Sequence, residues 1–172
     1  DDYAAAYDLR SYRLRYFNAA GADFDGELGE RHQPETHLIP LAIRASEADD
    51  YSLKVFGSDY PTTDGTAVRD YVHVVDLCRA HFLALERLCD GAEGGAVNLG
   101  SGVGFTVLEV IDAVQRGTGK RPRYELVGRR EGDPGRLVAD IRLARTELGW
   151  FPEYSGLDQI VETASRFFEK AR

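Results

Sequence analysis

Apolar residues recur at helical spacing in several segments of the chain. The segment DLCRAHFLALERLCD (76–90) is predicted to bury one stripe made of Leu77, Ala80, Ala84, Leu85 and Leu88. The same spacing predicts helices over 37–48 and 107–119, and a last helix after Ser155 that is capped by this serine. DDYAAAYDLR at the start is typical of the closing turns of a helix.

Two short sequence signals refine the helix boundaries. Thr106 and Glu109 have the spacing of a capping box, in which each side chain bonds the other residue's backbone N–H. Asp140 is predicted to cap a short helix that ends at Gly149.

Short apolar runs between these helices predict strands. They are SYRLRYFN (11–18), YSLKVFG (51–57), the alternating run 71–75, GGAVNLGS (94–101) and PRYELVG (122–128). Residues 22–36 contain Gly, Asp, Glu and Pro without a period and predict a loop. Strands that alternate with helices through short connections indicate an α/β protein.

Size and charge narrow the classes of function. The chain has 172 residues with 43% hydrophobic content, enough for a packed core. A net charge of −8 argues against general binding to nucleic acid or to an anionic membrane. No signal peptide or membrane span is predicted, so we expect a cytoplasmic location. The absence of methionine leads us to expect the C-terminal part of a longer polypeptide.

The cysteines and histidines predict no special chemistry. Cys78 and Cys89 lie eleven positions apart on one predicted helix, about 16 Å along its axis, too far for a disulfide. We expect both to be small buried residues in a reducing cytoplasm. None of the four histidines has a spacing typical of a zinc site, so no metal site is expected. His73, within a predicted strand, is expected to be structural.

Glycine and arginine patterns are more suggestive. Gly100, Gly102 and Gly104 have G-x-G-x-G spacing, which differs from the dinucleotide fingerprint and predicts a tight strand-to-helix crossover.

Arg69 follows an acidic loop (58–66), and Arg130 precedes Glu131-Gly132-Asp133. Two guanidinium groups on separate loops could clamp a diphosphate, and a carboxylate such as Asp133 suits vicinal hydroxyls. Taken alone, each arginine is better explained as a surface charge or as a member of an ion pair. The residues by themselves therefore indicate an α/β domain and leave binding of a phosphorylated ligand as an open alternative.

The wording of several segments resembles one known family. LRYFNAAGA (14–22), GELGE (26–30), VFGSDYPTTDGTAVRDYVHVVDL (55–77), NLGSGVGFTVLEV (98–110) and RREGDPGRLVAD (129–140) are similar to the C-terminal half of the UDP-glucose 4-epimerases, also called UDP-galactose 4-epimerases. These are extended short-chain dehydrogenase/reductases. The resemblance runs in order over nearly the whole chain.

The resemblance implies the C-terminal part of a Rossmann-type α/β fold with a small mixed α/β substrate-binding domain. It places the remaining NAD-binding elements in 1–18 and 66–104, and the UDP-sugar-binding domain in 19–65 and 105–172. It also implies NAD as cofactor, UDP-sugar as substrate and a homodimer of the full-length protein, with no nucleic acid or membrane partner.

The resemblance further implies individual site residues. Arg69 and Arg130 would contact the diphosphate, Asp133 the ribose hydroxyls and Asn18 the phosphate or sugar. The substrate-binding set is completed by His37, Leu38, Lys54, Val55, Phe56 and Leu137, of which 54–56 would line the uracil pocket and Leu137 the space around the sugar C2 substituent. Tyr16 and Phe17 would lie beside the nicotinamide.

The implied reaction is reversible NAD-dependent epimerisation at C4 of UDP-glucose and UDP-galactose. The family's glycine fingerprint and its Y-x-x-x-K pair are absent from this sequence and are expected upstream, so the isolated chain is expected to hold no catalytic residue and to be inactive. Three alternatives stay open: a UDP-pentose 4-epimerase, another nucleotide-sugar-modifying member of the superfamily, and a non-catalytic nucleotide-sugar-binding fragment.

Overall fold

The structure is a computed structural model that describes residues 2–170. Within that range the strands are β1 (Ser11–Tyr16), β2 (Asn18–Ala20), β3 (Leu53–Phe56), β4 (Val68–His73), β5 (Gly94–Leu99), β6 (Gly104–Thr106), β7 (Tyr124–Val127) and β8 (Arg136–Leu137). The helices are α1 (Asp2–Tyr7), α2 (Leu38–Glu47), α3 (Val74–Cys89), α4 (Val107–Thr118), α5 (Arg142–Leu148) and α6 (Leu157–Lys170). The predicted alternation of strands and helices is confirmed, and residues 21–37 contain no helix or strand.

The strands form three small sheets. β1 pairs with β5 in parallel, and β3 pairs with β7 in parallel. β4 is the centre of the third sheet, where it lies parallel to β2 and β8 and antiparallel to β6. Strand β4 is therefore held by neighbours along its whole length, which fixes the residues it carries.

The capping box predicted for α4 is confirmed. Thr106 Oγ1 accepts from Glu109 N–H at 3.1 Å, and Glu109 Oε2 accepts from Thr106 N–H at 2.7 Å. The helix ends at Gly119, whose φ of +72° is favoured in glycine because it has no Cβ. Local chemistry alone was sufficient to predict both ends.

Helix α3 differs from its prediction at its start and on its buried face. It begins at Val74 because the His73 ring accepts from Val75 N–H at 3.1 Å and caps the helix, as part of the structural role expected for that histidine. Leu85 was predicted to be buried but is 59% exposed. Cys78 and Cys89 are free thiols, as expected, but both are exposed, so their predicted burial is wrong.

The first of two apolar cores lies between α2, α4, α6 and β3. It is built by Ile39, Ile43, Val55, Ile111 and Ile160, each with at most 2% of its surface exposed. Phe167, on the predicted apolar face of α6, is also buried. These helices form one wall of the cleft described below.

The second core lies between β1, β5, α3 and α5, around fully buried Trp150. The indole Nε1–H donates to Asp76 O at 2.8 Å. The Asp76 carboxylate in turn accepts from Glu153 N–H and from the Ser155 hydroxyl, at 2.9 and 2.6 Å. Ser155 was predicted to cap α6; instead its hydroxyl bonds Asp76 and accepts from His73 N–H.

The two predicted domains remain a prediction. Residues 139–150 fall in the predicted UDP-sugar domain, yet Ala139 and Trp150 pack into the second core with α3 and β5. Asp140 was predicted to be the N-cap of α5, but that position is Ile141; Asp140 lies one residue earlier, where its Oδ1 still accepts from Arg142 N–H at 3.1 Å. Among residues 2–170, no helix is both long enough and apolar enough to cross a membrane.

Candidate functional site

A cleft of about 500 Å³ opens beside the first residues of β2 and β4 and the end of β3. Helices α2 and α6 and the segment 30–37 form its other walls. Nine predicted substrate-binding residues line it, and they are Asn18, His37, Leu38, Lys54, Val55, Phe56, Arg69, Arg130 and Asp133. Residues that are up to 115 positions apart in the sequence therefore meet in one cavity.

Arg69 and Asp133 form an ion pair inside the cleft. Nη2 of Arg69 donates to Asp133 Oδ1, and Nη1 donates to Val68 O at 2.8 Å. Their side chains are 15% and 28% exposed, so both charges are largely removed from water and each depends on its partner. The backbone of Arg69 is paired with Phe105 of β6 and Leu137 of β8. A rigid strand thus presents a guanidinium group beside a carboxylate.

The two neighbouring arginines have different surroundings. The Arg130 guanidinium lies over the Phe56 ring, 3.7 Å from its centroid, and faces the cleft. Arg129 points away from the cleft, where its Nε donates to Asp59 Oδ1 at 2.7 Å and its guanidinium lies 4.1 Å from the Tyr60 ring centroid. Arg130 is therefore available to a ligand, and Arg129 links two loops.

Tyr60 joins the same two loops, and the sequence analysis did not single it out. Its ring is buried against Gly57 and Gly135, so close that a Cβ atom at these positions would lie only 2.5 and 2.8 Å from the ring. Its hydroxyl donates to Asp133 O at 3.3 Å. The sequence signal that could have identified Tyr60 is an aromatic residue in a turn-rich loop near glycines, because glycines leave room for a flat ring.

Strand β3 offers an open backbone edge to the cleft. The N–H groups of Leu53 and Gly57 donate toward β7, to Arg123 O and Val127 O, each at 2.9 Å. Alternate residues of a strand direct their backbone N–H and C=O groups to opposite sides. The backbone groups of Lys54 and Phe56 therefore face away from β7. No other strand of residues 2–170 pairs with β3. This edge can bond a planar heterocycle.

Asn18 is held against β4 by the backbone carbonyl of Asp70, whose own side chain is the centre of a buried hydrogen-bond network. Its Nδ2 donates to Asp70 O at 2.6 Å. The fully buried Asp70 side chain accepts from the N–H groups of Ser101, Gly102 and Ala139, at 2.7, 3.0 and 3.0 Å, and from the Ser101 hydroxyl. This network fixes the glycine-rich turn next to the strand that carries Arg69. The turn was predicted to lead directly into a helix, but β6 lies between it and α4.

His37 lies at the cleft rim next to two glutamates. Its Nδ1 is 3.0 Å from Glu30 Oε1 and 2.9 Å from Glu35 Oε1. Burial acts to raise the pKa of Glu35, but hydrogen bonds from the backbone N–H groups of His37 and Thr36 and from the His37 ring outweigh burial and lower it.

Three predicted site residues do not line the cleft. Tyr16 ends β1, is 47% exposed and bonds His81 Nε2 through its hydroxyl at 2.6 Å. Phe17 follows it and is partly buried against the second core. Leu137 lies on β8 and is 46% exposed. Their roles toward a nicotinamide and a sugar remain predictions.

The fold and the cleft define an α/β protein of the Rossmann-like class, in which parallel strands are covered by helices. Residues 1–100 match the sequence model of the NAD dependent epimerase/dehydratase family, and the chain belongs to that family.

Curated relatives are similar over almost the whole chain. The UDP-glucose 4-epimerase of Rhizobium leguminosarum bv. trifolii is 53% identical over 163 residues, which cover 95% of this chain and 50% of the relative. The UDP-glucose 4-epimerase of Corynebacterium glutamicum is 46% identical over 96% of this chain and 49% of the relative. This chain therefore spans about half the length of the curated relatives it matches.

Solved structures agree. The UDP-glucose 4-epimerase of Brucella ovis in complex with NAD superimposes with a TM-score of 0.90 at 51% identity, over 97% of this chain and 51% of that one. The Bifidobacterium longum enzyme in complex with NAD+ and UDP gives 0.89 at 35% identity, over 99% and 50%. The predicted fold class and family resemblance are confirmed.

Proposed function

We propose that the protein carrying this chain interconverts UDP-glucose and UDP-galactose by NAD-dependent epimerisation at C4, and that this chain is the half that anchors the UDP-sugar. The observation that carries the proposal is the convergence of Arg69, Arg130 and Asp133 in one cleft beside the open edge of β3. The relatives named UDP-glucose 4-epimerase support the reaction.

The diphosphate would be bound by the two arginines. Arg130 already faces the cleft across the Phe56 ring, and Arg69 is held by Asp133. Binding would exchange the anionic partner of Arg69 from carboxylate to phosphate, and free Asp133 to accept from the two ribose hydroxyls. Because both side chains are largely buried, these charge-assisted bonds are stronger than exposed ones.

The uracil base would bind along β3. The outward backbone groups of Lys54 and Phe56 have the alternating donors and acceptors that a uracil edge requires. The hexose would lie toward Asn18 and Leu38, which line the same cleft. Firm anchoring at the nucleotide together with looser contacts at the sugar allows the hexose to turn over without leaving.

Fewer residues of this chain would contact the cofactor NAD than would contact the UDP-sugar. NAD, when bound, accepts and returns the hydride at C4. Tyr16 presents a half-exposed ring at the carboxyl end of β1, beside the parallel strand β5, and dinucleotides bind at such strand ends. Tyr16 and Phe17 thus fit one side of a nicotinamide site.

The sequence contains neither a Y-x-x-x-K pair nor a G-x-x-G-x-x-G fingerprint. We therefore assign the catalytic tyrosine and lysine, and most of the NAD site, to sequence outside this chain, and we propose that the native protein is a homodimer. The isolated 172-residue chain should bind UDP without turnover.

The proposal is tested on the full-length native polypeptide, whose length is first measured by intact mass. Purified protein should convert UDP-galactose to UDP-glucose, and Arg69→Ala should reduce kcat/KM at least about tenfold through lost diphosphate binding. Arg121→Ala, on an exposed residue paired with Asp112, serves as the matched control. Absence of turnover by the complete wild-type protein with either sugar would overturn the proposal.

A UDP-pentose is the second candidate substrate. A Stenotrophomonas maltophila relative, 39% identical to this chain, was solved with bound NAD and formylated UDP-arabinopyranose. Comparing kcat/KM for UDP-xylose with that for UDP-galactose on the same full-length protein decides between pentose and hexose. We expect the hexose to be preferred.

A further inference from the structure

The segment that forms one rim of the cleft brings two histidines and two glutamates together. Ligand atoms of His32, Glu35 and His37 all lie within 4.8 Å of one another. His32 Nδ1 is 4.0 Å and His37 Nδ1 is 2.9 Å from Glu35 Oε1, and His37 Nδ1 is 3.0 Å from Glu30 Oε1. The sequence spacing, H-x-x-E-x-H, did not predict this because it lies in a segment with no helical or strand period, so the spacing does not fix which side chains meet.

We propose that His32, Glu35 and His37 bind a divalent transition-metal ion of the zinc type, with Glu30 as the fourth ligand. Two imidazoles and two carboxylates are a ligand set that zinc accepts, with bonds of about 2.0–2.2 Å. Tetrahedral geometry then places neighbouring ligand atoms about 3.4 Å apart. The measured separations lie on both sides of that value, so small side-chain rotations close the site.

Charge and access favour a cation here. Glu35 lies beside both rings and Glu30 lies beside that of His37, and the side chains of His32 and His37 are each 48% exposed, so an ion can enter from solvent. The N-terminal end of α2, which begins at Leu38, opposes a cation. The two carboxylates offset this, and imidazole nitrogens make the site better suited to zinc than to magnesium or calcium.

A bound ion would fasten the rim of the cleft. Residues 21–37 contain no helix or strand, and Glu30, Glu35 and His37 line the cavity. Joining Glu30 and His32 to His37 would hold this segment against the start of α2. The proposal goes beyond epimerisation and does not depend on it, because it concerns a structural ion that binds whether or not a UDP-sugar is present.

The test measures zinc binding to the 172-residue chain by calorimetry. The chain is first treated with a chelator and dialysed into a phosphate-free buffer. We expect one equivalent of Zn²⁺, and visible absorption bands of tetrahedral type when Co²⁺ replaces it. His32→Gln, His37→Gln and Glu35→Gln should each weaken zinc binding at least about tenfold. Glu30→Gln should weaken it less, because His32, Glu35 and His37 already lie within 4.8 Å of one another without Glu30.

His81→Gln is the matched control, since His81 lies outside the rim, bonds Tyr16 and should leave zinc affinity unchanged. Circular dichroism of each variant shows whether it has folded, and zinc should raise the Tm of the wild type but not of the His32→Gln/His37→Gln double variant. The proposal is overturned if the wild type binds no zinc, if the double variant binds it equally well, or if His81→Gln removes it.

Discussion

Replacing Asp70 should destabilise the chain more than any exposed charge substitution. The carboxylate is fully buried and accepts four hydrogen bonds. Asp70→Ala leaves those donors without an acceptor. Ser101 and Gly102 lie near solvent and their donors can be rehydrated, but the N–H group of buried Ala139 remains without an acceptor.

The buried Ala139 N–H left unpaired costs about 1–3 kcal/mol, and each of the other three lost bonds costs about 0.5–1 kcal/mol even where water replaces the carboxylate, so the alanine variant should lose about 4 kcal/mol of unfolding free energy. Asp70→Asn separates this cost from lost packing. Its amide oxygen can still accept from Gly102 and Ala139, and its NH₂ group can donate to the Ser101 hydroxyl. Only the Ser101 N–H then loses its acceptor, for about 1–2 kcal/mol. The predicted order is wild type, Asn, Ala.

Urea unfolding measures both variants. The single tryptophan, Trp150, is fully buried in the second core and reports the transition by fluorescence. A domain of this kind has about 5–15 kcal/mol of stability in total, so the alanine variant should lose a large part of it. The reasoning is refuted if Asp70→Ala lies within about 0.5 kcal/mol of wild type, or if Asn costs as much as Ala.

Three further predictions concern other parts of the molecule. Burial lowers the pKa of His73 below its ordinary value of 6.5 and outweighs Asp76, which acts to raise it. The neutral ring therefore makes its full contribution to stability above pH 6.5. This contribution is lost as the pH falls through the lower pKa of the folded state. Urea midpoints should therefore fall more steeply on acidification below 6.5 in the wild type than in His73→Gln; parallel pH profiles would contradict this. Gly65 has φ +82° and an added Cβ would lie 2.2 Å from a backbone oxygen, so Gly65→Ala should cost at least about 1–3 kcal/mol in urea unfolding. Gly128→Ala, in open space, should cost under about 0.5 kcal/mol, and equal losses would refute the steric explanation. Tyr60→Phe should lose about 0.5–1.5 kcal/mol of stability through its bond to a backbone carbonyl, and an unchanged midpoint would count against that bond.

Elements with strong local signals could be predicted from the sequence. The capping box of α4 and its glycine stop were confirmed because both depend on residues within one turn. Ser155 carries the same kind of signal, but Asp76, seventy-nine positions earlier, takes its hydroxyl. Leu85 fits the helical period yet is exposed, because periodicity identifies a face without showing what covers it.

The candidate site, like the fold, could be predicted from the sequence only in part. Residue chemistry raised the possibility that Arg69 and Arg130 clamp a diphosphate and that Asp133 binds vicinal hydroxyls, and the family resemblance assigned these roles to one UDP-sugar site. The structure brings them to one cleft. The role of Tyr60 and the cluster at His32 and His37 were missed, because both arise from loops whose contacts no period encodes.

The most direct test of the anchoring role is calorimetric titration of this chain with UDP and with uridine. The account predicts one equivalent of UDP, much weaker binding of uridine, and at least about a tenfold loss of UDP affinity in both Arg69→Ala and Arg130→Ala, with Arg121→Ala unchanged. Equal affinity for UDP and uridine, or full UDP affinity in both cleft variants, would contradict it.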